Sequence, residues 1–220
     1  MKKFEQIIKR SKAFYVLLRC LRFVVWLFFK TLYRIEVTGA EKIPKKGRLI
    51  LCSNHISYAD PVIIEAYFPG IIFFMAKVEI FRNSFFTSFL KYFNAFPVNR
   101  NSFDRQALRH SALILENDQV VGIFPEGTRS PEGVIKEGQK GLGLISVMAG
   151  SDILPMAISG TNRIVQKPHR RFFFPRVRLA FGDIIKVDPI IKKYGSKNSI
   201  DVIVAQTMKS ISSLYDKINI

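Results

Sequence analysis

The sequence predicts an α/β fold in which a central, mostly parallel or mixed sheet is flanked by helices, behind an N-terminal amphipathic helical segment. Three observations predict it. From about residue 36 onward, short β-rich apolar runs alternate with helical stretches, the pattern of a layered sheet with loops at its strand ends. The run Val120 to Phe124 leads directly into a Glu126-Gly127 turn, and Asp60-Pro61 carries the signature of a helix start. Residues 1–35 contain neither Pro nor Gly and read as helix. No internal repeat or low-complexity linker is present, so two units are expected, an N-terminal segment over 1–35 and one domain over 36–220.

On a wheel of about 100° per residue, Lys12, Arg19, Arg22, Lys30 and Arg34 fall along one edge, with Tyr15, Trp26 and Tyr33 among them. Phe14, Leu17, Leu18, Leu21, Val25, Phe28 and Leu32 form the opposite side. The uninterrupted apolar runs, Ala13 to Leu18 and Phe23 to Phe29, fall short of the roughly twenty residues that a spanning helix needs. No small-residue cleavage site follows, so a removed signal is not expected either. Cations and interfacial aromatics beside a wide apolar face predict a helix lying in the headgroup region of an anionic membrane surface; a helix packed on the domain is the other reading.

Within the domain, Leu49 to Ser53 reads as a buried strand and Val62 to Phe68 as a helix, with Asp60 as N-cap and Pro61 at the first helical position. Ile71 to Met75 is the next strand, Ser102 to Asn117 a helix, Val120 to Phe124 a strand and Gly141 to Ala149 a helix. Ile153 to Ile158 and Val177 to Phe181 are the later strands.

The formal charge of +17 requires an anionic partner, which composition leaves as nucleic acid, an anionic leaflet or an acidic substrate. Hydrophobic residues make up 48% of the chain and 20 are Phe, which excludes a disordered basic tail and favours lipid over nucleic acid. Two aromatic clusters fit a lipid setting. One is Ile80 to Phe96; the other is Arg170 to Arg176, where three Phe stand between cations, and their alternative readings are a core helix and a core strand, respectively. Cys20 and Cys52 form no CxxC pair, so neither a zinc site nor a disulfide framework is indicated, and a reducing cytoplasm fits. Cys52 stands near His55 but inside an apolar run, as a core residue would.

The residues that carry chemistry come in two blocks. Asn54 to Asp60 supplies His55 and Asp60, five positions apart, a spacing that would diverge on a helix but that a loop can bring together. A neutral imidazole accepts a hydroxyl proton, and a carboxylate on its other nitrogen fixes the tautomer and steadies the imidazolium. Taken by themselves, Asp60 reads equally as an N-cap and His55 as a loop histidine. Phe124 to Ser130 supplies Arg129 shortly after Gly127, a planar fork beside a backbone that an anion can approach. Arg100, in Phe96 to Arg100, is a second cation at a loop. A base and an anion site point to a phosphorylated alcohol as acceptor. No GxSxG elbow supports an acyl-enzyme on serine, and His110 and His169 have no partners at metal-ligand spacing. Gly138, Gly141 and Gly143 lack the order of a dinucleotide or P-loop fingerprint.

In these blocks the chain resembles the glycerophospholipid acyltransferases, the HxxxxD family typified by 1-acyl-sn-glycerol-3-phosphate acyltransferases. Four segments carry the resemblance in order: Asn54 to Asp60, Phe96 to Arg100, Phe124 to Ser130, and the hydrophobic run Ile153 to Ala157 around Pro155, within about residues 35 to 185. The resemblance implies His55 as general base and Asp60 as its orienting partner. It implies Arg100, Glu126, Gly127, Thr128 and Arg129 at the acceptor's glycerol phosphate, with Pro155 shaping the acyl or acceptor pocket. It further implies acyl transfer from acyl-CoA or acyl carrier protein to the 2-hydroxyl of 1-acyl-sn-glycerol 3-phosphate, giving phosphatidate, with no metal and no cofactor beyond the donor. Glycerol 3-phosphate or another lyso-lipid is the alternative acceptor, and a nucleic-acid-binding module is the alternative from another class. The expected partners are an anionic membrane surface, the lysophosphatidate acceptor and the donor, without nucleic acid. The expected location is peripheral or monotopic, on the cytoplasmic face of the cell membrane.

Overall fold

A computed structural model of the chain describes residues 11–45, 47–82, 94–99, 104–166 and 171–219. In chain order the elements are α1 (Lys12–Leu32), β1 (Ile35–Thr38), β2 (Leu49–Ser53), α2 (Asp60–Tyr67), β3 (Ile72–Lys77), β4 (Phe96–Val98), α3 (Arg105–Glu116) and β5 (Val120–Ile123). They continue with α4 (Gly141–Ala149), β6 (Ile153–Ser159), β7 (Val165–Gln166), β8 (Arg171–Phe172), β9 (Val177–Phe181) and α5 (Val187–Ile218). Seven strands form one sheet in the order β1-β9-β6-β2-β5-β3-β4, and β7 and β8 form a separate hairpin. Every pairing in the large sheet is parallel except β6 with β9, so the predicted mostly parallel or mixed α/β sheet is what the chain forms.

All five residues of β2 are buried, as expected of a central strand covered on both faces. The side chains alternate between two cores. Ile50 and Cys52 join Ile114, Leu142, Ile145 and Ile203 beneath α3, α4 and α5, whereas Leu49 and Leu51 join Phe29, Ile63 and Ile64 beneath α1 and α2. Each fully buried aliphatic or Phe side chain contributes roughly 1.5–3 kcal/mol, so β2 is fixed from both sides. The neighbours β6, β2 and β5 run parallel, and the connections that follow them therefore emerge at one edge of the sheet.

The structure changes several expected elements. The N-terminal helix runs from Lys12 to Leu32, with Ser11 Oγ accepting from Phe14 N at its start; residues 1–10 lie outside the described residues. Its Leu18, Phe29 and Tyr33 are buried against the domain, and the Trp26 ring comes within 6.5 Å of Tyr67 on α2. Arg22 leaves the predicted basic edge and turns inward. Its Nη1 donates to Gly70 O at 2.8 Å, its Nη2 donates to Phe68 O, and its Nε lies 3.9 Å from buried Glu65. The reason is that α2 ends at Phe68, where carbonyls lack helical partners and a cation is favoured. The other face of α1, with Val16, Leu17, Phe23, Val24, Leu27 and Phe28, stays exposed. No helix among the described residues is long and apolar enough to cross a membrane.

Helix α3 begins at Arg105 rather than Ser102, because Asp104 caps it through the amides of Gln106 and Ala107. Two strands that the periodicity did not signal, β1 and β4, are the two edges of the sheet. The longest helix, α5, was likewise unassigned; Pro189 sits in its first turn and Gly195, at φ +73°, breaks it. Of the first aromatic cluster, residues 83–93 lie outside the described residues, while Phe96 is buried in β4. The second is no core strand, since Phe172, Phe173 and Phe174 are exposed.

Candidate active site

The segment after β2 is a loop pinned at nearly every residue. Asn54 is fully buried, and its amide both donates to Ile158 O and accepts from Ile158 N, each at 2.9 Å, which locks the loop's start to β6. The backbone of His55 is held on both sides: its N–H donates to Glu126 Oε1 at 3.0 Å and its carbonyl accepts from Ser130 N at 2.7 Å. The imidazole stacks on Phe124 with ring centroids 4.0 Å apart. Its Nδ1 lies 2.8 Å from Asp60 Oδ2, which leaves Nε2 as the nitrogen able to take a substrate proton.

Asp60 is not the N-cap that the Asp-Pro pair suggested. It is the first residue of α2, the cap position belongs to Ala59, and no side chain caps the helix. The Asp60 carboxylate turns back into its own loop, where Oδ2 also accepts from Ile56 N and Ser57 N, both at 2.7 Å. Its Oδ1 accepts from Thr161 Oγ1 at 2.5 Å. A fully buried charge is thereby surrounded by donors, as a buried carboxylate requires.

The second block follows β5, the parallel neighbour of β2, so both loops meet at the same sheet edge. Gly127 takes φ +69°, a conformation that favours glycine, and so turns the chain back towards Phe124 O. Glu126 is buried, and its two oxygens accept from His55 N and Lys136 N. Burial raises its carboxyl above the ordinary range, against the opposing effect of those two amides. Thr128 is exposed at the tip, and Arg129 is partly exposed. The guanidinium lies over Tyr58, with Cζ 3.4 Å from the ring centroid and Nη2 donating to the Tyr58 hydroxyl at 2.7 Å.

The structure thus brings His55, Asp60, Glu126, Gly127, Thr128 and Arg129 into two touching loops. Pro155 is buried in β6, opposite Cys52 of β2, and its carbonyl accepts from Gly182 N. Arg100 lies outside the described residues. Cys52 is fully buried, and burial pushes its thiol far above the ordinary range, so it stays protonated and belongs to the core. Beside the loops, a cavity of about 650 Å³ lies between α3 and α4, lined by Met75, Leu108, Phe124, Gly127, Leu142 and Ile145 among others.

Two residues of the site escaped sequence reasoning. Tyr58 stood inside the first block as an unremarked spacer, and Thr161 follows β6 at a distance no spacing rule connects to Asp60. Only the parallel register of β6 on β2 brings Thr161 there.

The chain is similar to several known proteins. The family model described as Acyltransferase matches residues 34–159. The 1-acyl-sn-glycerol-3-phosphate acyltransferase of Borreliella burgdorferi is 28% identical over 211 residues, covering 92% of this chain and 80% of that protein. The Bacillus subtilis protein of the same description is 31% identical over 127 residues, covering 57% of this chain and 63% of its own. The crystal structure of the 1-acyl-sn-glycerophosphate acyltransferase of Thermotoga maritima superposes with a TM-score of 0.74 at 26% identity, covering 97% of this chain and 86% of that one. With the matched region containing both loops and the sheet edge that presents them, the chain belongs to the acyltransferase family.

Proposed function

We propose that the chain transfers a fatty acyl group from a thioester donor, acyl-CoA or acyl carrier protein, to the 2-hydroxyl of 1-acyl-sn-glycerol 3-phosphate, giving phosphatidate. The observation that carries the reading is the His55–Asp60 pair, 2.8 Å apart, in a loop that touches the one bearing Arg129. His55 Nε2 takes the proton of the acceptor hydroxyl as its oxygen attacks the thioester carbonyl carbon. The carbon–sulfur bond then breaks, and the imidazolium returns the proton to the departing thiolate. Asp60 holds Nδ1 protonated and stabilises the imidazolium. Arg129, with Gly127, Thr128 and Arg100, receives the acceptor phosphate, for which a guanidinium fork is suited. Glu126 serves that site from behind, through the backbone of His55. The cavity between α3 and α4 suits an acyl chain. No cofactor beyond the donor enters these steps.

The reaction takes place at a membrane surface, with the protein peripheral or monotopic on the cytoplasmic face. The exposed apolar face of α1 supports this, as do the three exposed Phe at 172–174, a loop that reaches the C-terminal end of the helix, where Phe174 meets Tyr33 with ring centroids 5.4 Å apart. Residues 11–34 contain no Asp or Glu, and the whole chain carries +17, which suits an anionic leaflet. The test is thiol release by the purified chain with each donor and a panel of glycerol phosphate and lyso-lipid acceptors. His55→Ala should lower turnover by about 10² to 10⁴ with acceptor binding retained. A folded His55→Ala protein with near wild-type turnover overturns the assignment of the base.

A further inference from the structure

We propose that Thr161 is a positioning residue of the reaction, holding the Asp60 carboxylate in the orientation that fixes the His55 imidazole. The inference rests on the reading of His55 as base and Asp60 as its partner. Thr161 lies outside all four sequence blocks, at the start of a short 3-10 turn after β6, and is fully buried. Its hydroxyl meets Asp60 Oδ1 at 2.5 Å, on the oxygen that His55 does not use. The carboxylate is therefore held at both ends. Three donors fix Oδ2 and Thr161 fixes Oδ1, so rotation of the carboxylate would break bonds on both oxygens.

The chain places this hydroxyl by construction. Gly160 adopts φ +86°, and a Cβ there would stand 2.1 Å from Arg176 O, so only glycine lets β6 turn so closely against the chain entering β9. After the turn, Ile164 N donates to Thr161 O, Phe173 N donates to Ile164 O, and Asn162 Nδ2 donates to Pro131 O. On the other side, Asn54 ties the catalytic loop to Ile158, three residues before Thr161. Threonine is stiff at χ1, so a fixed backbone gives its hydroxyl a fixed aim. A group that orients the partner of a catalytic imidazole acts on rate through that imidazole.

Removing the donor has a signed consequence. The active form requires a neutral imidazole and an ionised carboxylate, and a carboxylate that loses a donor retains a shared proton to higher pH. The charged and titratable groups around the pair are Glu126, Lys136 and Arg129 from the β5–α4 connection, Arg163 from the turn, Tyr58 from the loop itself and Tyr215 from α5. None of these changes in a Thr161 variant.

The experiment uses the full chain with Thr161→Val, which keeps shape and removes the donor, and Thr161→Ser, which keeps the donor. In Thr161→Val, kcat should fall about tenfold or more with acceptor KM within about twofold, and the acidic limb of kcat/KM should move up by about half a pH unit or more. Thr161→Ser should restore most of both. Unchanged kcat and an unmoved limb in a folded Thr161→Val protein overturn the proposal, as does a loss that Thr161→Ser fails to recover. If Thr161→Val does not fold, Thr161→Ala carries the same expectation. If neither folds while Thr161→Ser is normal, the residue is structural and the proposal is wrong. Failure of the underlying reading is distinct, because then His55→Ala itself retains turnover.

Discussion

The guanidinium of Arg129 rests on the ring of Tyr58, a residue of the same loop that carries His55 and Asp60, and also donates to its hydroxyl at 2.7 Å. The arginine proposed to bind the phosphate and the histidine proposed as base are therefore linked through one exposed aromatic side chain, which is 72% accessible. Tyr58→Phe retains the ring and loses the hydrogen bond; Tyr58→Ala loses both. Acceptor KM should rise in steps, about twofold and then about tenfold, with kcat moved less. Arg129→Lys keeps the charge without the fork and should raise acceptor KM at least as much as Tyr58→Ala. Steady-state kinetics varying each substrate check this, and a rise in donor KM instead would assign Arg129 to the donor.

Glu126 tests how far the proposed base, His55, depends on the backbone behind it. Each carboxylate oxygen accepts one amide, from His55 and from Lys136. Glu126→Gln is nearly isosteric, yet its amide nitrogen would face one of those N–H groups and leave it unsatisfied. The expected result is a melting temperature lower by about 2–8 °C and a kcat reduced about tenfold, measured by calorimetry and turnover. A variant with wild-type melting and turnover would mean that the carboxylate does not brace His55.

The pair Arg22–Glu65 gives a pH dependence of stability. Burial pushes Glu65 from its ordinary 4.5 up to about 8, outweighing Arg22 and the Ile72 amide, which act in the opposite direction. In the window between these values the folded state binds a proton that the unfolded state has lost. Its contribution is thus complete below about 4.5 and is lost as pH rises through about 8. Glu65→Gln does not titrate and can still accept from Ile72 N. Urea unfolding from about pH 5 to about pH 8.5 should show wild-type stability declining relative to the variant. A flat difference would show that Arg22 keeps the carboxylate ionised throughout.

Membrane contact is best tested by substitution, because deleting α1 would also remove Arg22 from the carbonyls of Phe68 and Gly70. One variant carries Leu17→Asn, Val24→Asn and Leu27→Asn together, and a second carries Phe172→Ser, Phe173→Ser and Phe174→Ser. Each should weaken partitioning onto anionic vesicles by about tenfold or more, while turnover of a short-chain soluble acceptor is retained. If the second variant sediments with vesicles as wild type does, the Phe loop takes no part in the contact.

What the sequence made legible was what depends on local pattern. Strands β2, β5, β6 and β9 were visible as mostly apolar runs because strands covered on both faces hold few polar residues. His55, Asp60 and the Glu126 to Arg129 turn were visible because short spacings carry their chemistry. Edge strands β1 and β4 escaped because an edge is only half covered: β1 alternates partly buried and exposed residues. Arg22 was misread because a wheel records angle and not what stands opposite, here the end of α2. Thr161 was invisible for a related reason, since it lies 101 residues from Asp60 in sequence and meets it only through the sheet.

The pairing of β1 with β9 sets an order of assembly. Glu36 and Arg178, partners across that ladder, are separated by 142 residues. During synthesis β1 emerges long before the strand that seats it, and such non-local closure comes late because the intervening loop must first be ordered. The partner of α1, by contrast, is α2, which emerges within a few dozen residues. The contact between those two helices is thus local in sequence, whereas the sheet edge beside it is closed only by a strand made near the end of the chain.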